Sequence, residues 1–396
     1  MTIRILRPVR LVMMLACAAI VAGPMVRATA EPASLRLLYA GTPESWPRPL
    51  LKDGAAFSEF APLPARPAMS DRDKALAEIG LRLFDDPALS RSGQIACASC
   101  HNSELGLADG IRTSFGHDRQ RGRRNAQSLF TAAWMTPLFW DGRAADLEAQ
   151  ALHPLVDGKE MASSIRIVER RVNHDPLYRT AFAKLNGRRR VSIADVSAAL
   201  AVHERTLRPP RSKWSRFIAG DHRALDDQEL EGLHLFRTKA GCVNCHNGPL
   251  LSDRQFHNLG LSFYGRRLED LGRYEVTGAA ADVGRFRTPS LLGVKQTAPY
   301  MHVGLFQTLD NVVAFYNGGG GKDRTKRPGN VPSPQPDPLV SPLGLSKTER
   351  DALIAAGHDL PALARRLVTA FLQQAISAGF FHADMHQGNL FVRADG

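Results

Sequence analysis

The chain has 396 residues, of which 44% are hydrophobic and 23% are charged. This composition is typical of globular proteins and excludes a mostly disordered, collagen-like or polytopic membrane protein. Lysine and arginine outnumber aspartate and glutamate by 51 to 39, but aromatic residues make up only 7%. No long basic block occurs, so only the net charge favours nucleic-acid binding. We predict that the protein does not bind nucleic acid.

The first thirty residues predict a secretory signal peptide. A basic segment that ends at Arg10 precedes an apolar stretch from Leu11 to Gly23, and small residues at 28–30 form a cleavage site. The apolar stretch is shorter than the roughly 20 residues that a membrane-spanning helix needs. We therefore predict that residues 1–30 are removed, that the protein is periplasmic, and that it has no membrane span.

Four of the five cysteines are arranged as two copies of one motif. Residues 97–101 (CASCH) and residues 242–246 (CVNCH) both match C-x-x-C-H, the attachment signature of c-type haem. The two thiols of such a motif bond to the porphyrin vinyl groups, and the histidine ligates the iron. The motifs predict two covalently bound haems, with the following attachment and iron-binding residues: Cys97, Cys100, Cys242, Cys245, His101 and His246.

Other uses of these cysteines explain the pattern less well. Zinc sites built from cysteine pairs separate the pairs by roughly 12–20 residues, whereas 145 positions separate His101 from His246 (246 − 101). Neither motif follows the β-rich run that a thioredoxin-like site requires. Disulfides are possible in an exported protein, but they leave the histidine after each pair unexplained.

The segments around both motifs predict helices. Serine or threonine, which favour the position before a helix, precede apolar residues at helical spacing at four positions: Ser70, Ser192, Thr308 and Ser346. A further helical pattern runs from Leu225 to Phe236 and leads into the second motif. No series of alternating strand patterns occurs. We predict a mostly α fold, with two cytochrome c-like haem domains packed together.

Residues from about 76 to 355 resemble the bacterial di-haem cytochrome c peroxidase and MauG family. The resemblance is carried by seven runs: LRLFDDPALS (81–90), IACASCHN (95–102), FWDGR (139–143), LEAQ (147–150), EM (160–161), FRTPSL (286–291) and TAPYMH (297–302). It implies an N-terminal haem that reacts with peroxide and a C-terminal haem that transfers electrons. It also implies one calcium ion held between the two haems.

The resemblance assigns roles in the predicted active site to three residues. Glu160 matches the distal acid, and a carboxyl group there can move a proton between the two oxygens of peroxide. Pro154 matches a residue that walls the same pocket and offers no ligand atom. Trp140 matches the tryptophan between the haems, where an indole can relay electrons; the alternative is a core tryptophan with a satisfied N–H group.

The calcium site is likewise implied only by the resemblance. Asn125, Thr297 and Pro299 match the calcium ligands of the family, the last two through their backbone carbonyl oxygens. Such oxygen donors suit a hard cation.

The sixth ligand of the C-terminal haem iron has two candidates. The resemblance points to Tyr316, where MauG-type proteins have tyrosine and the peroxidase branch has methionine. Met301 is the alternative, because a thioether commonly pairs with histidine on haem iron. His117 matches a removable distal histidine on the N-terminal haem, although a surface histidine is an equally good interpretation.

The end of the chain resembles a different family. The segment from about 360 to 396 resembles UbiB-type atypical kinases through the run GFFHADMHQGN. His382, Asp384 and Asn389 have the spacing of a kinase catalytic loop. A glycine-rich nucleotide loop, the corresponding strand lysine and a D-F-G motif are all missing from the sequence. We predict that residues 357–396 are a truncated helical fragment without kinase function.

These patterns predict a domain organisation and a function. The predicted units are a signal peptide (1–30), an N-terminal extension (31–70), an N-terminal peroxidatic domain (71–215), a C-terminal electron-transfer domain (216–356) and the kinase-like fragment (357–396). The predicted function is reduction of hydrogen peroxide by a di-haem peroxidase or a MauG-like oxidase. The predicted electron source is a small cytochrome c, a cupredoxin or a protein substrate, and a homodimer is possible. The alternative is a di-haem electron carrier without peroxidase activity.

Overall fold

The computed structural model describes residues 32–187 and 190–357. The predicted signal peptide and the kinase-like fragment lie outside these residues. The helices of the described part are α1 (Pro32–Leu38), α2 (Asp71–Asp85), α3 (Leu147–Val156), α4 (Ile165–His174), α5 (Pro176–Asn186), α6 (Ile193–Thr206), α7 (Lys213–Phe217), α8 (Asp227–Arg237), α9 (Tyr274–Thr277), α10 (Leu309–Asn317) and α11 (Lys347–Ala355).

The strands of the described residues form one short antiparallel pair. Strand β1 (Phe256–His257) pairs with β2 (Phe286–Arg287), and the remaining bridges are isolated. The predicted mostly α fold class is therefore confirmed. None of the helices described is long and apolar enough to cross a membrane.

All four predicted helix caps are confirmed. Each cap side chain accepts a hydrogen bond from the backbone N–H group three residues later, at Ser70, Ser192, Thr308 and Ser346. At Ser192 and Ser346, an acidic side chain three residues later also accepts a hydrogen bond from the backbone N–H of the cap residue. These reciprocal bonds satisfy groups that helix formation leaves without partners.

Helices α2 and α6 form the centre of the first hydrophobic core. The two helices cross closely at Gly80, where a side chain would overlap the carbonyl oxygen of Ala199. Helix α3 packs on the other part of α6. The buried side chains of this core run along the chain from Leu76 to Ala201, and they surround the segment that carries the first haem motif.

A second core surrounds the other haem motif and includes the N-terminal segment. Tyr39, Trp46 and Phe60 pack in one cluster with the buried side chains of α8 and the second motif. Arg237 at the end of α8 is fully buried, and its Nη2 atom donates to Glu59 at 3.0 Å. The segment before residue 70 therefore packs with the second haem motif. The predicted domain boundaries stay predictions.

Candidate functional site

The first haem motif forms a short helical turn that orients His101. The turn spans Cys97–Ser99, and the Ser99 hydroxyl accepts a hydrogen bond from the backbone N–H of Ala96. The Nδ1 atom of His101 donates to the carbonyl oxygen of Leu107 at 2.9 Å. This bond assigns the proton to Nδ1 and leaves Nε2 as the ligand atom. Burial lowers the pKa of His101, which favours the neutral imidazole that binds a metal.

The second motif repeats the same arrangement. Gly241 has φ = +60° before the turn that spans Cys242–Asn244, a backbone conformation that favours glycine. The Nδ1 atom of His246 donates to the carbonyl oxygen of Leu251 at 2.9 Å. Burial lowers the pKa of His246 as well. In both motifs the leucine carbonyl binds Nδ1, which makes Nε2 the candidate ligand atom.

Both motifs line one continuous cavity of about 1440 Å³. The motif residues on its wall are Cys100, His101, Cys242, Cys245 and His246. The cysteines described in the structure are not joined as disulfides, and each motif offers two thiols beside one oriented imidazole. This donor set fits two covalently attached haems, and the cavity provides space for them.

Glu160 and Pro154 lie on the wall of the same cavity as the first motif. Pro154 is part of α3, and its carbonyl oxygen accepts a hydrogen bond from the backbone N–H of Met161 at 3.1 Å. Burial is the main cause that raises the pKa of Glu160; the charge of Asp157 raises it further, and Arg143 lowers it. A carboxyl group with a raised pKa holds a proton more readily than an exposed one, which suits a general acid.

His117 is placed differently from the other predicted iron ligands. Its side chain is not part of the cavity wall, although Gly116 and Gln120 on either side of it are. The backbone N–H of His117 donates to the carbonyl oxygen of Glu160 at 2.7 Å. Its Nε2 atom lies 3.4 Å from Asp118. The ligand role of His117 stays a prediction.

Trp140 is buried on the cavity wall. Its indole N–H donates to the carbonyl oxygen of Asn125 at 3.0 Å. The ring lies 6.3 Å from the ring of His302, which stacks on Phe286 at a centroid distance of 3.6 Å. The satisfied N–H group is what a core tryptophan needs, and the position on the cavity wall is what an electron relay needs.

The three predicted calcium ligands lie on the same cavity wall: Asn125, Thr297 and Pro299. The Nδ2 atom of Asn125 donates to the carbonyl oxygen of Ile111 at 3.0 Å. This bond leaves the amide oxygen of Asn125 as the side-chain acceptor, the atom type that calcium binds. The hydroxyl of Thr297 donates to Val294 at 2.9 Å, so Thr297 offers its own carbonyl oxygen.

Both candidates for the sixth ligand reach the cavity. Tyr316 lies in α10, and Met301 lies in a turn closed by the bond from the Tyr300 N–H to the Phe306 carbonyl at 2.7 Å. Burial raises the pKa of Tyr316, and the thiols of the second motif add to the effect. The phenol is therefore neutral unless a cation binds its oxygen. The structure brings both side chains to the cavity, and the choice between them stays a prediction.

Sequence reasoning missed an ion-pair network that includes Asp141, the residue after Trp140. Arg124 is largely buried and binds Asp270 through two hydrogen bonds of 2.7 Å, while a third N–H group donates to Asp141. Burial alone would raise the pKa of Asp270, but Arg124, with smaller effects of His302 and Arg123, lowers it to about 2. Arg124 and Asp270 are 146 positions apart, so no local pattern could have revealed the pair.

Sequence reasoning also missed a charged histidine beside the second motif. The Nε2 atom of His257 donates to Asp253 at 2.8 Å, and its Nδ1 atom donates to Asp337 at 2.7 Å. Burial lowers the pKa of His257, but the hydrogen bonds to Asp253, Asp337 and Cys245 outweigh it and raise the pKa to about 12. Cys245, Asp253 and His257 are close enough to hold a metal ion. Both ring nitrogens already bind carboxylates, so we assign the group a structural role.

Comparisons with known proteins agree with this geometry. The family model described as di-haem cytochrome c peroxidase matches residues 74–223. A cytochrome c551 peroxidase from Nitrosomonas europaea is 41% identical over 247 residues, which cover 62% of this chain and 74% of that protein. The methylamine utilization protein MauG from Methylorubrum extorquens is 35% identical over 290 residues, which cover 72% of this chain and 77% of that protein.

A solved structure and a second family model complete the comparison. The diheme peroxidase BthA from Burkholderia thailandensis matches with a TM-score of 0.62 and 25% identity, over 78% of this chain and 92% of that chain. A family model described as an ABC1 atypical kinase-like domain matches residues 343–396. Within that match, helix α11 packs on α8 in a core beside the second motif. The relatives and the two haem motifs agree, and the chain belongs to the di-haem cytochrome c peroxidase family.

Proposed function

We propose that this di-haem oxidoreductase reduces hydrogen peroxide at the haem attached to residues 97–101, with electrons that arrive through the haem attached to residues 242–246. The observation that carries the proposal is the position of Glu160, which shares one cavity with both haem motifs. A simple electron carrier needs no acid in this position. The same observation therefore favours the enzyme over the carrier that the sequence left open.

The chain's own residues account for the proton transfer. When bound, the haem supplies an iron with an open coordination position and the electrons for the reduction. Glu160 takes a proton from one oxygen of the peroxide and delivers it to the other, which leaves as water. The whole reaction consumes one peroxide, two electrons and two protons and yields two waters. Pro154 has no side-chain ligand atom and keeps the pocket open for peroxide.

The electron path runs through Trp140. Its indole ring lies on the wall of the cavity that contains both motifs, and the bond to Asn125 holds the ring in place. The name of the Nitrosomonas europaea relative, a cytochrome c551 peroxidase, supports a small cytochrome c as electron donor. A cupredoxin or an oxidisable protein side chain is the alternative donor, and a homodimer is compatible with this function.

The same proposal includes a calcium ion near Trp140. The backbone carbonyl oxygen of Asn125 accepts a hydrogen bond from the indole N–H of Trp140. The side-chain amide oxygen of Asn125 is the proposed calcium ligand. Thr297 and Pro299 add carbonyl oxygens on the same wall. These neutral oxygen donors fit calcium better than a softer metal ion.

The proposal also covers location and chain organisation. The basic and apolar pattern of residues 1–30 supports export to the periplasm, where c-type haem proteins with such a leader would function. The two hydrophobic cores support one haem domain over residues 71–215 and another over residues 216–356, against which the segment before residue 70 packs. We propose that the kinase-like segment after residue 357 has no role in catalysis.

The Glu160→Gln variant tests the proposed function. Glutamine keeps the size of the side chain but cannot exchange a proton, so we expect both haems to be retained and peroxide turnover to fall by roughly 10²–10⁴-fold. Haem content is measured by absorbance of the denatured protein, and turnover is measured with a reduced small cytochrome as donor.

Glu104→Gln is the matched control, because Glu104 is an exposed acid close to the first motif. Its turnover should equal that of the wild type. Equal turnover in both variants would remove Glu160 from the mechanism. A wild-type protein with both haems that does not react with peroxide would establish the electron carrier instead.

A further inference from the structure

Glu204 is a buried acid that the proposed mechanism does not use. The residue is 5% exposed and lies in the last turn of α6. Its Oε2 atom is buried and has no hydrogen-bond partner among the residues that the structure describes. The residue lines the cavity that contains both haem motifs. An unpartnered carboxyl oxygen on the wall of a cofactor cavity requires an explanation, because burying such a group costs free energy.

The packing of α6 places Glu204 next to the first motif. Gly80 lets α2 approach α6 so closely that an added side chain would lie 2.7 Å from Cβ of His203. The ring of His203 packs against Phe84 at 5.2 Å, and Phe84 packs against His101 at 6.5 Å. Burial is the main cause that raises the pKa of the Cys97 thiol, and the charge of Glu204 raises it further. Glu204 therefore lies near the point where the first haem is attached.

The charged groups around Glu204 do not neutralise it. Arg205, the next residue in α6, forms its ion pair with Glu148 of α3 at 2.8 Å. Asp85 of α2 adds a second negative charge near this end of α6. Burial lowers the pKa of His203, and the charge of Asp85 opposes that shift. Within the described residues, no cation forms an ion pair with Glu204. The negative end of the helix dipole also disfavours a carboxylate here.

Burial raises the pKa of Glu204 to about 8, with Arg205 lowering it and Glu148 raising it by smaller amounts. An acid in this position changes its charge easily near neutral pH. In the low dielectric of a buried site, that charge interacts strongly with any other charge nearby. The haem attached through Cys97 would be such a changing charge, because it gains and loses electrons.

We propose that Glu204 is a redox-linked proton site of the N-terminal haem. The Glu204 carboxylate takes up one proton from solvent when an electron from the donor enters that haem. The resulting carboxylic acid releases the proton when the electron leaves. Only the O–H bond of Glu204 forms and breaks, and the electron comes from the donor of the peroxidase reaction. The two charges offset one another, so each electron enters without a new net charge in the buried site.

Glu204 would supply a proton that Glu160 cannot supply. Glu160 moves a proton that peroxide brings with it, whereas the complete reaction needs two further protons for two electrons. Glu204 stores one of these protons together with the electron. The inference rests on the proposed haem at residues 97–101 and does not depend on the role of Glu160.

The pH dependence of the haem midpoint potential tests this inference. The holoprotein is titrated by spectroelectrochemistry at several pH values on both sides of pH 8. We expect the wild-type potential of the N-terminal haem to fall with rising pH, towards the limit of about 59 mV for each tenfold change in proton concentration. Glu204→Gln should remove this slope, because glutamine cannot bind the proton.

Glu148→Gln is the control, since it removes a partly exposed acid from the adjacent helix and should keep the slope. An unchanged slope in Glu204→Gln overturns the inference. If Glu204→Gln does not retain haem, the same titration is carried out on Glu204→Asp, which keeps an acid at this position. A potential that still depends on pH supports the inference, and a flat potential overturns it. Peroxide turnover of the wild type is measured separately, so a failure of the proposed function is distinguishable from these outcomes.

Discussion

The two motif histidines show how one residue is prepared for its predicted role. His101 and His246 each donate Nδ1–H to the carbonyl oxygen of a leucine that follows a few residues later, at 2.9 Å in both cases. A neutral imidazole has one donor and one acceptor nitrogen, so this bond leaves Nε2 free for iron. The sequence predicts the ligand residue, and the following loop selects the ligand atom.

The sixth ligand of the C-terminal haem is tested by Tyr316→Phe and Met301→Leu. A tyrosinate oxygen is a hard anionic donor that stabilises oxidised iron, so a Tyr316-ligated haem has a low potential. We expect Tyr316→Phe to raise the potential of that haem and change its near-infrared spectrum. Met301→Leu should change neither. Redox titration and near-infrared absorption of the holoprotein measure both effects.

Tyr300→Phe is the control for the tyrosine substitution. Tyr300 also lines the cavity, and burial raises the pKa of its phenol to about 12. This variant should keep the wild-type potential. A changed low-spin spectrum in Met301→Leu alone would reject Tyr316 as ligand and assign a high potential to the second haem.

At the scale of elements, close packing of α2 on α6 positions the first haem site. Gly80 is the point of closest approach, and Phe84, one helical turn later, packs between His203 and His101. A shift between these helices would therefore move both the ligand and the end of α6 that carries Glu204. The sequence predicts α2 and α6 separately through their caps, but it does not predict where the two helices cross.

Gly80→Ala tests this crossing. Alanine is favoured over glycine inside a helix by roughly 0.5–1 kcal/mol, but its Cβ would overlap the carbonyl oxygen of Ala199. Overpacking of this kind costs about 1–3 kcal/mol, so we expect the clash to dominate and the variant to be destabilised. Urea unfolding of the holoprotein, followed by circular dichroism, measures the change.

Gly158→Ala serves as the reference, because a Cβ at Gly158 would have no atom within 4 Å. Its free energy of unfolding should stay within about 0.5 kcal/mol of the wild type. A Gly80→Ala protein as stable as this reference would show that the helices separate without cost.

At the scale of the molecule, the buried ion pairs of Arg124 connect segments that are distant in sequence. Arg124 and Asp141 lie in the segment that carries Trp140, and Asp270 lies beyond the second motif. Breaking one side of such a network leaves a buried charge without a partner, which is strongly destabilising. The network therefore supports the wall on which Trp140 and the proposed calcium ligands lie.

Asp270→Asn tests this network through pH. The pKa of Asp270 is lowered from 3.8 to about 2 in the folded state, so the group stabilises the fold above pH 3.8. This stabilisation is lost as the pH falls towards 2, and it amounts to about 2 kcal/mol. We expect Asp270→Asn to be less stable than the wild type at pH 6 and to lose less stability between pH 4 and pH 2. Urea unfolding at each pH measures both.

The control is Asp71→Asn, which replaces an aspartate whose side chain is 98% exposed. This variant should follow the wild-type pH dependence. If Asp270→Asn also follows the wild-type curve, Asp270 is not the group that responds to acid.

Several helices were not predicted from the sequence, and their residues show why. Helix α3 contains Pro154, which local rules treat as a helix breaker, yet the helix continues for two residues beyond it. Helices α4 and α5 are separated by Asp175 alone. Their many charged residues make the helical spacing of the apolar residues hard to recognise in the sequence. Packing against α2 and α6 stabilises these helices, and local patterns do not show packing.

From the sequence alone came the two haems, the mostly helical fold and the helix caps, together with the haem attachment residues, which stay a prediction. These features are local, because covalent attachment and capping each need only residues within five positions of one another. The tertiary structure decided which groups meet at the shared cavity. The bond between Trp140 and Asn125, the pairing of Arg124 with Asp270, and the burial of Glu204 near the first motif all join distant segments. Such contacts depend on how the helices and loops pack, and the spacing of residues along the chain carries no record of that packing.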